Sequence, residues 1–173
     1  MDGDGLNDIV FSCRDDCQSR VFFNDKLNGE GKPWGPATAS IRAIAIADLN
    51  GDGHPDIAAC PEKLGCFVYF NDGTGKFSDG VQFERPGALP YSMIAADLNG
   101  DGRPDLVVGY VNSPGVIYFN KGSGNKFEAH PFGDGKGTIY GMASGDLNAD
   151  GRVDLAVARS DAPSFILFNR GTR

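Results

Sequence analysis

Four short segments of this chain concentrate carboxylates at a spacing that suits a hard cation. They read Asp2-Gly-Asp-Gly-Leu-Asn-Asp8, Asp48-Leu-Asn-Gly-Asp-Gly-His-Pro-Asp56, Asp97-Leu-Asn-Gly-Asp-Gly-Arg-Pro-Asp105 and Asp146-Leu-Asn-Ala-Asp-Gly-Arg-Val-Asp154. Ca²⁺ takes roughly 6–8 oxygen ligands in flexible geometry. In a coiled loop the side chains at positions 1, 3 and 5 converge, position 7 can lend its carbonyl, and position 9 closes the shell. The predicted ligands are Asp48, Asn50, Asp52, the His54 carbonyl and Asp56 in the second loop. In the third they are Asp97, Asn99, Asp101, the Arg103 carbonyl and Asp105, and in the fourth Asp146, Asn148, Asp150, the Arg152 carbonyl and Asp154. The first loop supplies only Asp2, Asp4 and Asp8, at positions 3, 5 and 9, so that site is expected to be weak or empty. Glycine at position 6 permits a turn that a Cβ would hinder.

A single such loop would also read as a solvated acidic turn, since Asp-Gly and Asn-Gly are ordinary turn pairs. Repetition argues for the ion. An EF-hand is excluded because position 12 is Ala59, Val108 or Val157 and both flanks read as strands. Zn²⁺ is disfavoured by an all-oxygen donor set, and Mg²⁺ by its demand for near-octahedral geometry. His54 and His130 read as a loop and a rim residue. The formal charge is −7, with 12 of the 23 acidic side chains in these loops, and three Ca²⁺ would bring the sum to −1 (−7 + 6). Acidity confined to loops argues against nucleic acid as partner, which calls for a basic face. No apolar run approaches the roughly 20 residues of a membrane helix, and no signal peptide is recognisable.

The loops recur with a fixed period. Asp48, Asp97 and Asp146 are 49 residues apart, and Phe23-Asn24, Phe70-Asn71, Phe119-Asn120 and Phe168-Asn169 recur in step. Each unit reads as four short strands, A to D, with the acidic loop between A and B. Tandem four-stranded units of roughly 40–50 residues are the pattern of propeller blades. The expected fold is all-β, with about three and a half blades in one repeat domain: a partial blade over 1–40, blades over 41–86 and 90–132, and a partial blade over 138–173. Trp34 aligns with Phe77 and Phe127 at the start of strand D, as a packing residue.

On these loops and the Asp-Leu/Ile-Val/Ala strands after them, the chain resembles the FG-GAP/VCBS family of propeller repeats, which includes the integrin α propeller and a fungal lectin. Phe-Asn-x-Gly stands where the literal Phe-Gly/Gly-Ala-Pro signature would be. The resemblance implies structural Ca²⁺ on one face of each blade and partners on the other. Family propellers have seven or eight blades. The shorter span here leads us to expect either a homodimer that closes a ring or a fragment of a longer chain.

Cys13 and Cys17, and Cys60 and Cys66, bracket equivalent B–C turns, which favours two local disulfides over buried thiols and implies an oxidising compartment, extracellular or at the cell surface. On the same rim, Arg42, Tyr91 and Tyr140 fall at matching repeat positions and are read as a ligand face or as inter-blade packing. The expected function is a non-catalytic calcium-binding module with a carbohydrate or protein partner. The alternatives are the propeller of a polysaccharide lyase, although no nucleophile–His–Asp set is present, and a purely architectural repeat.

Overall fold

Short β-branched and aromatic runs punctuated by glycine turns form fourteen strands among the described residues, 1–24 and 29–171. The computed structural model falls into two compact units, Met1–Gly87 and Ala88–Arg173. Among the described residues no helix is long and apolar enough to cross a membrane.

The first unit holds two antiparallel sheets. One orders β1 (Ile9–Phe11), β2 (Arg20–Phe22) and β3 (Lys32–Pro33); the other orders β4 (Ile41–Ala47), β5 (Asp56–Pro61), β6 (Cys66–Tyr69) and β7 (Val81–Glu84). The second unit holds a sheet of β8 (Pro90–Ala96), β9 (Asp105–Tyr110), β10 (Gly115–Asn120) and β11 (Phe127–Phe132), then one of β12 (Thr138–Gly145), β13 (Asp154–Ser160) and β14 (Phe165–Leu167). Each sheet is a meander, the topology of a propeller-like blade, and the two outer blades have three strands where the inner two have four. The blades are therefore B-C-D, A-B-C-D, A-B-C-D and A-B-C, as the repeat predicts.

The second strands β5 and β9 are buried along their whole length, because they lie between flanking strands and are apolar on both faces. Blade-to-blade packing follows one scheme in each unit. In the first, Val21, Phe23 and Trp34 of the three-stranded sheet pack on Ile41, Ile57 and Tyr69 of its neighbour. In the second, Ile94, Val107, Ile117 and Phe119 pack on Ile139, Met142, Leu155 and Val157.

Strand register corrects one alignment. Val21 pairs with Lys32, Val68 with Val81 and Ile117 with His130. Trp34, two residues beyond Lys32, is therefore equivalent to Phe83 and Phe132, past the end of β3 and not at the start of strand D. The paired residues stand 11 positions apart in this blade and 13 apart in the two four-stranded blades, an offset the sequence does not show. Trp34 is buried edge-to-face against Tyr69, with ring centroids 5.6 Å apart.

Candidate metal centres

Each complete acidic loop follows a strand A and ends on the first residue of a strand B, so the β4–β5, β8–β9 and β12–β13 hairpins hold its two ends together. Position 1 organises the loop. The Asp48 Oδ1 accepts the backbone N–H groups of Gly51 at 2.8 Å and Asp52 at 3.2 Å, and Oδ2 accepts that of Gly53 at 2.8 Å. Asp97 accepts from Gly100, Asp101 and Gly102 at 2.7, 3.2 and 2.8 Å. Asp146 accepts from Asp150 at 3.1 Å and Gly151 at 2.8 Å.

Position 3 caps position 5: Asn50, Asn99 and Asn148 each accept the backbone N–H of the Asp two residues on, at 2.9 Å in every loop. Position 5 accepts the N–H of position 7, from His54 to Asp52 at 2.8 Å and from Arg103 to Asp101 and Arg152 to Asp150 at 3.0 Å. Positive φ is required at position 4 as well as position 6. Gly51 and Gly100 meet it freely (φ 79° and 75°), whereas Ala149 is held at φ 61°.

Position 9 differs from its neighbours because it is buried. Asp56 Oδ2 accepts the N–H of Leu49 at 3.0 Å and Oδ1 that of Asn71 at 2.9 Å. Asp105 accepts from Leu98 at 3.0 Å and Asn120 at 2.8 Å, and Asp154 from Leu147 at 3.0 Å and Asn169 at 2.7 Å. One carboxylate thus ties the acidic loop to the end of strand C. Sequence spacing marks it as a ligand but gives no sign of this tie. A carboxylate has about four lone-pair sites, so two remain for an ion.

The electrostatics favour a cation. Burial pushes the Asp56 and Asp105 carboxyls up, against their backbone hydrogen bonds, and the nearby Asp52/Asp48 and Asp101/Asp97 charges push them further. The Asn50 amide, then the His54 N–H, holds Asp52 below the ordinary carboxylate value. Burial opposes the same lowering at Asp101 and Asp150, but the N–H and guanidinium of Arg103 or Arg152 and the neighbouring Asn amide outweigh it. Arg103 and Arg152 reach their aspartates at 2.8 and 3.0 Å. His54 presents its ring to Gly73.

The tightest carboxylate trio among the described residues lies in the incomplete loop, where one oxygen each of Asp2, Asp4 and Asp8 falls within 4.8 Å of the others. Its hydrogen bonds match the complete loops: Leu6 N–H to Asp4 at 2.8 Å and Asn24 N–H to Asp8 at 3.2 Å. The Met1 ammonium pairs with Asp8 where Leu49 meets Asp56. The complete loops carry Asn50, Asn99 or Asn148 at position 3, where the incomplete loop has Asp2, and their position-1 carboxylate is turned onto backbone amides. All four donor sets are oxygen; the three complete ones suit a hard cation such as Ca²⁺, and the first lacks position 1.

The recurring asparagines after strand C do more than mark the repeat. Asn71, Asn120 and Asn169 donate to the carbonyl just before position 9, of Pro55, Pro104 and Val153, at 3.1, 3.3 and 3.2 Å. Asn71 also donates to the Met1 carbonyl at 2.8 Å and Asn169 to the Leu98 carbonyl at 2.6 Å, each at position 2 of the preceding blade's loop. The Phe-Asn recurrence was the available signal.

At the opposite end of the hairpins, Cys13 joins Cys17 and Cys60 joins Cys66. Arg42, Tyr91 and Tyr140 share a feature that sequence does not show: the A–B register shifts between Ile41 and Ala43, Pro90 and Ser92, and Ile139 and Gly141, so each is the extra residue of a β-bulge. Bulges re-aim side chains and are frequent beside binding sites. Tyr91 and Tyr140 lie side by side, with centroids 4.4 Å apart, and Tyr140 is exposed. Arg42, in the other unit, meets Glu62 as an ion pair at 2.8 Å that is poorly directed as a hydrogen bond.

A family model described as FG-GAP-like repeat matches residues 1–59, 64–108 and 97–157. Among curated proteins none matches the chain.

Proposed function

Because the chain belongs to the FG-GAP-like repeat family, we propose that it is a calcium-binding, non-catalytic β-propeller module of an extracellular or cell-surface protein. The observation that carries this reading is the repeated loop: three all-oxygen donor sets share one hydrogen-bonded geometry and end on buried aspartates, and at Asp56 and Asp105 burial and the neighbouring carboxylates oppose ionisation. A divalent ion turns that repulsion into attraction and locks the hairpin tip. The two disulfides support an oxidising compartment. The bulged Tyr91–Tyr140 pair supports a carbohydrate or protein partner at the opposite end, since tyrosine combines a flat apolar face with a hydroxyl.

Binding to the native loops alone stabilises by mass action, by about 2.7 kcal/mol per site at 100 times Kd. Melting temperature in Ca²⁺ against EDTA is the test, with Mg²⁺ as control and equilibrium dialysis to count ions. The expected result is a substantial rise with Ca²⁺ and at least three ions per chain. An unchanged melting temperature, or an equal response to Mg²⁺, refutes the reading.

A further inference from the structure

Each unit contains one blade-to-blade interface, and its two halves recur, uncovered, on the two outer blades. In the second unit the sheet β8–β11 presents Ile94, Val107, Ile117 and Phe119 to its neighbour. Forty-nine residues on, the equivalents on β12–β14 are Ala143, Ala156, Ile166 and Phe168. The directly paired Ala143, Ala156 and Ile166 share one face, and Ile166 and Phe168 are half-exposed. Leu98, at position 2 of its loop, is 7 % exposed, whereas its equivalent Leu147 is 50 % exposed. The uncovered face is a shallow, open apolar depression of about 580 Å³ lined by Gly141, Ala143, Ala156, Ala158 and Ile166 among others.

The complementary half lies on β1–β3. Counted from the last loop aspartate, Ile9 and Phe11 are the equivalents of Leu155 and Val157, which cover β8–β11 in the second unit. Counted back from the asparagine after strand C, Phe22 is the equivalent of Leu167. Here they are uncovered: Phe11 is 55 % exposed and meets Phe22 edge-to-face at 5.5 Å.

We propose that the open face of β12–β14 binds the open face of β1–β3 on a second copy of this chain, head to tail, continuing the interface that each unit already contains. Size complementarity favours this occupant. Where the internal interface brings together Val107, Ile94, Leu155 and Val157, the open faces offer the smaller Ala156 and Ala143 on one side and, on the other, Ile9, equal in size to Leu155, and Phe11, larger than Val157. The polar part of the interface is supplied too. Asn71 and Asn169 each donate to the position-2 carbonyl of the preceding blade; Asn24 holds the donor position on β1–β3, and the Leu147 carbonyl is the matching acceptor on the other copy.

Such an interface is heterologous: two different patches meet, not one patch with itself. Sedimentation equilibrium on the intact chain at about 50 µM in Ca²⁺ tests it, and the expected mass is two chains or a larger multiple. Ala156→Arg and Phe11→Arg each block one face and are expected to give a one-chain mass. Their equimolar mixture retains one good face of each kind and is expected to return to two chains and go no further. Asn24→Ala, at an exposed position, is expected to weaken association about fivefold through one lost hydrogen bond. A one-chain mass for the unaltered chain overturns the proposal and assigns these faces to some other occupant. So does a mixture that stays at one-chain mass while both variants melt cooperatively, or a single blocked variant that still pairs with itself.

Discussion

Replacing Asp105 by alanine separates the two roles of position 9. Its side chain is fully buried and accepts the Leu98 and Asn120 amides at 3.0 and 2.8 Å. Hydrogen bonds to a charged group are worth about 1.5–3 kcal/mol each, so the two lost bonds amount to about 3–6 kcal/mol. Burial of the carboxylate works the other way, as its raised pKa records, and deleting the charge returns part of that cost. The net expectation is a loss of about 2–4 kcal/mol in EDTA, a large share of the 5–15 kcal/mol typical of a domain. Asp105→Asn keeps one acceptor but turns an NH₂ toward the other amide, so its loss should lie between zero and that of alanine. Urea unfolding followed by circular dichroism gives the energies, and hydrogen exchange at Leu98 and Asn120 gives the local effect. Asp101→Ala is the control: its exposed carboxylate should matter little in EDTA and remove one ion's worth of stabilisation in Ca²⁺. If Asp105→Ala changes stability by less than about 0.5 kcal/mol in EDTA and leaves both amides protected, the tie described here does not exist and position 9 acts only through the ion.

Other consequences are simpler. Ala149→Gly should stabilise the fourth loop by about 0.5–1 kcal/mol, because relief of a left-handed alanine (about 1–2 kcal/mol) exceeds the entropic penalty of glycine (about 0.4–1 kcal/mol); a fall in melting temperature would contradict this. Trp34→Phe should be nearly neutral, since the buried indole N–H has no partner among the described residues and the equivalent positions are Phe83 and Phe132, while Trp34→Ala should cost about 3–5 kcal/mol. Serine at both Cys60 and Cys66 should cost about 2 kcal/mol for a crosslink spanning a sequence separation of 6, read as a lower urea midpoint, with reductant then acting only through Cys13–Cys17.

Periodicity made the blades legible. Repetition of Asp48, Asp97 and Asp146 fixed the hairpins, and apolar runs such as Ile57–Cys60 marked the buried strands. Trp34 was misaligned because strand D carries little pattern, and the smaller pairing offset of its blade shifts it against its neighbours. The tie at position 9 was invisible for a different reason. Asp56 and Asn71 are 15 residues apart, and only the pairing of β5 with β6 brings the carboxylate to that amide. The bulges were hidden too: equivalence of Arg42, Tyr91 and Tyr140 showed that the position recurs, but a register shift is a property of two paired strands.

Loop and blade packing form one network, not two layers of stabilisation. Position 1 holds the loop amides, position 9 holds the strand C amide beside the recurring asparagine, and that asparagine reaches the preceding loop at position 2 in each unit. An ion drawn between positions 1, 3, 5 and 9 would therefore stiffen its own hairpin and the contact of that blade with its neighbour together. Carboxylate repulsion loosens the same path when the ion is absent. The position-2 residues mark where the path continues. Leu98 is covered by the next blade and its carbonyl is bonded, whereas Leu147 presents the same carbonyl beside an uncovered apolar face. Association through that face should therefore tighten with Ca²⁺, since the loop that orders the acceptor is the one an ion would fill.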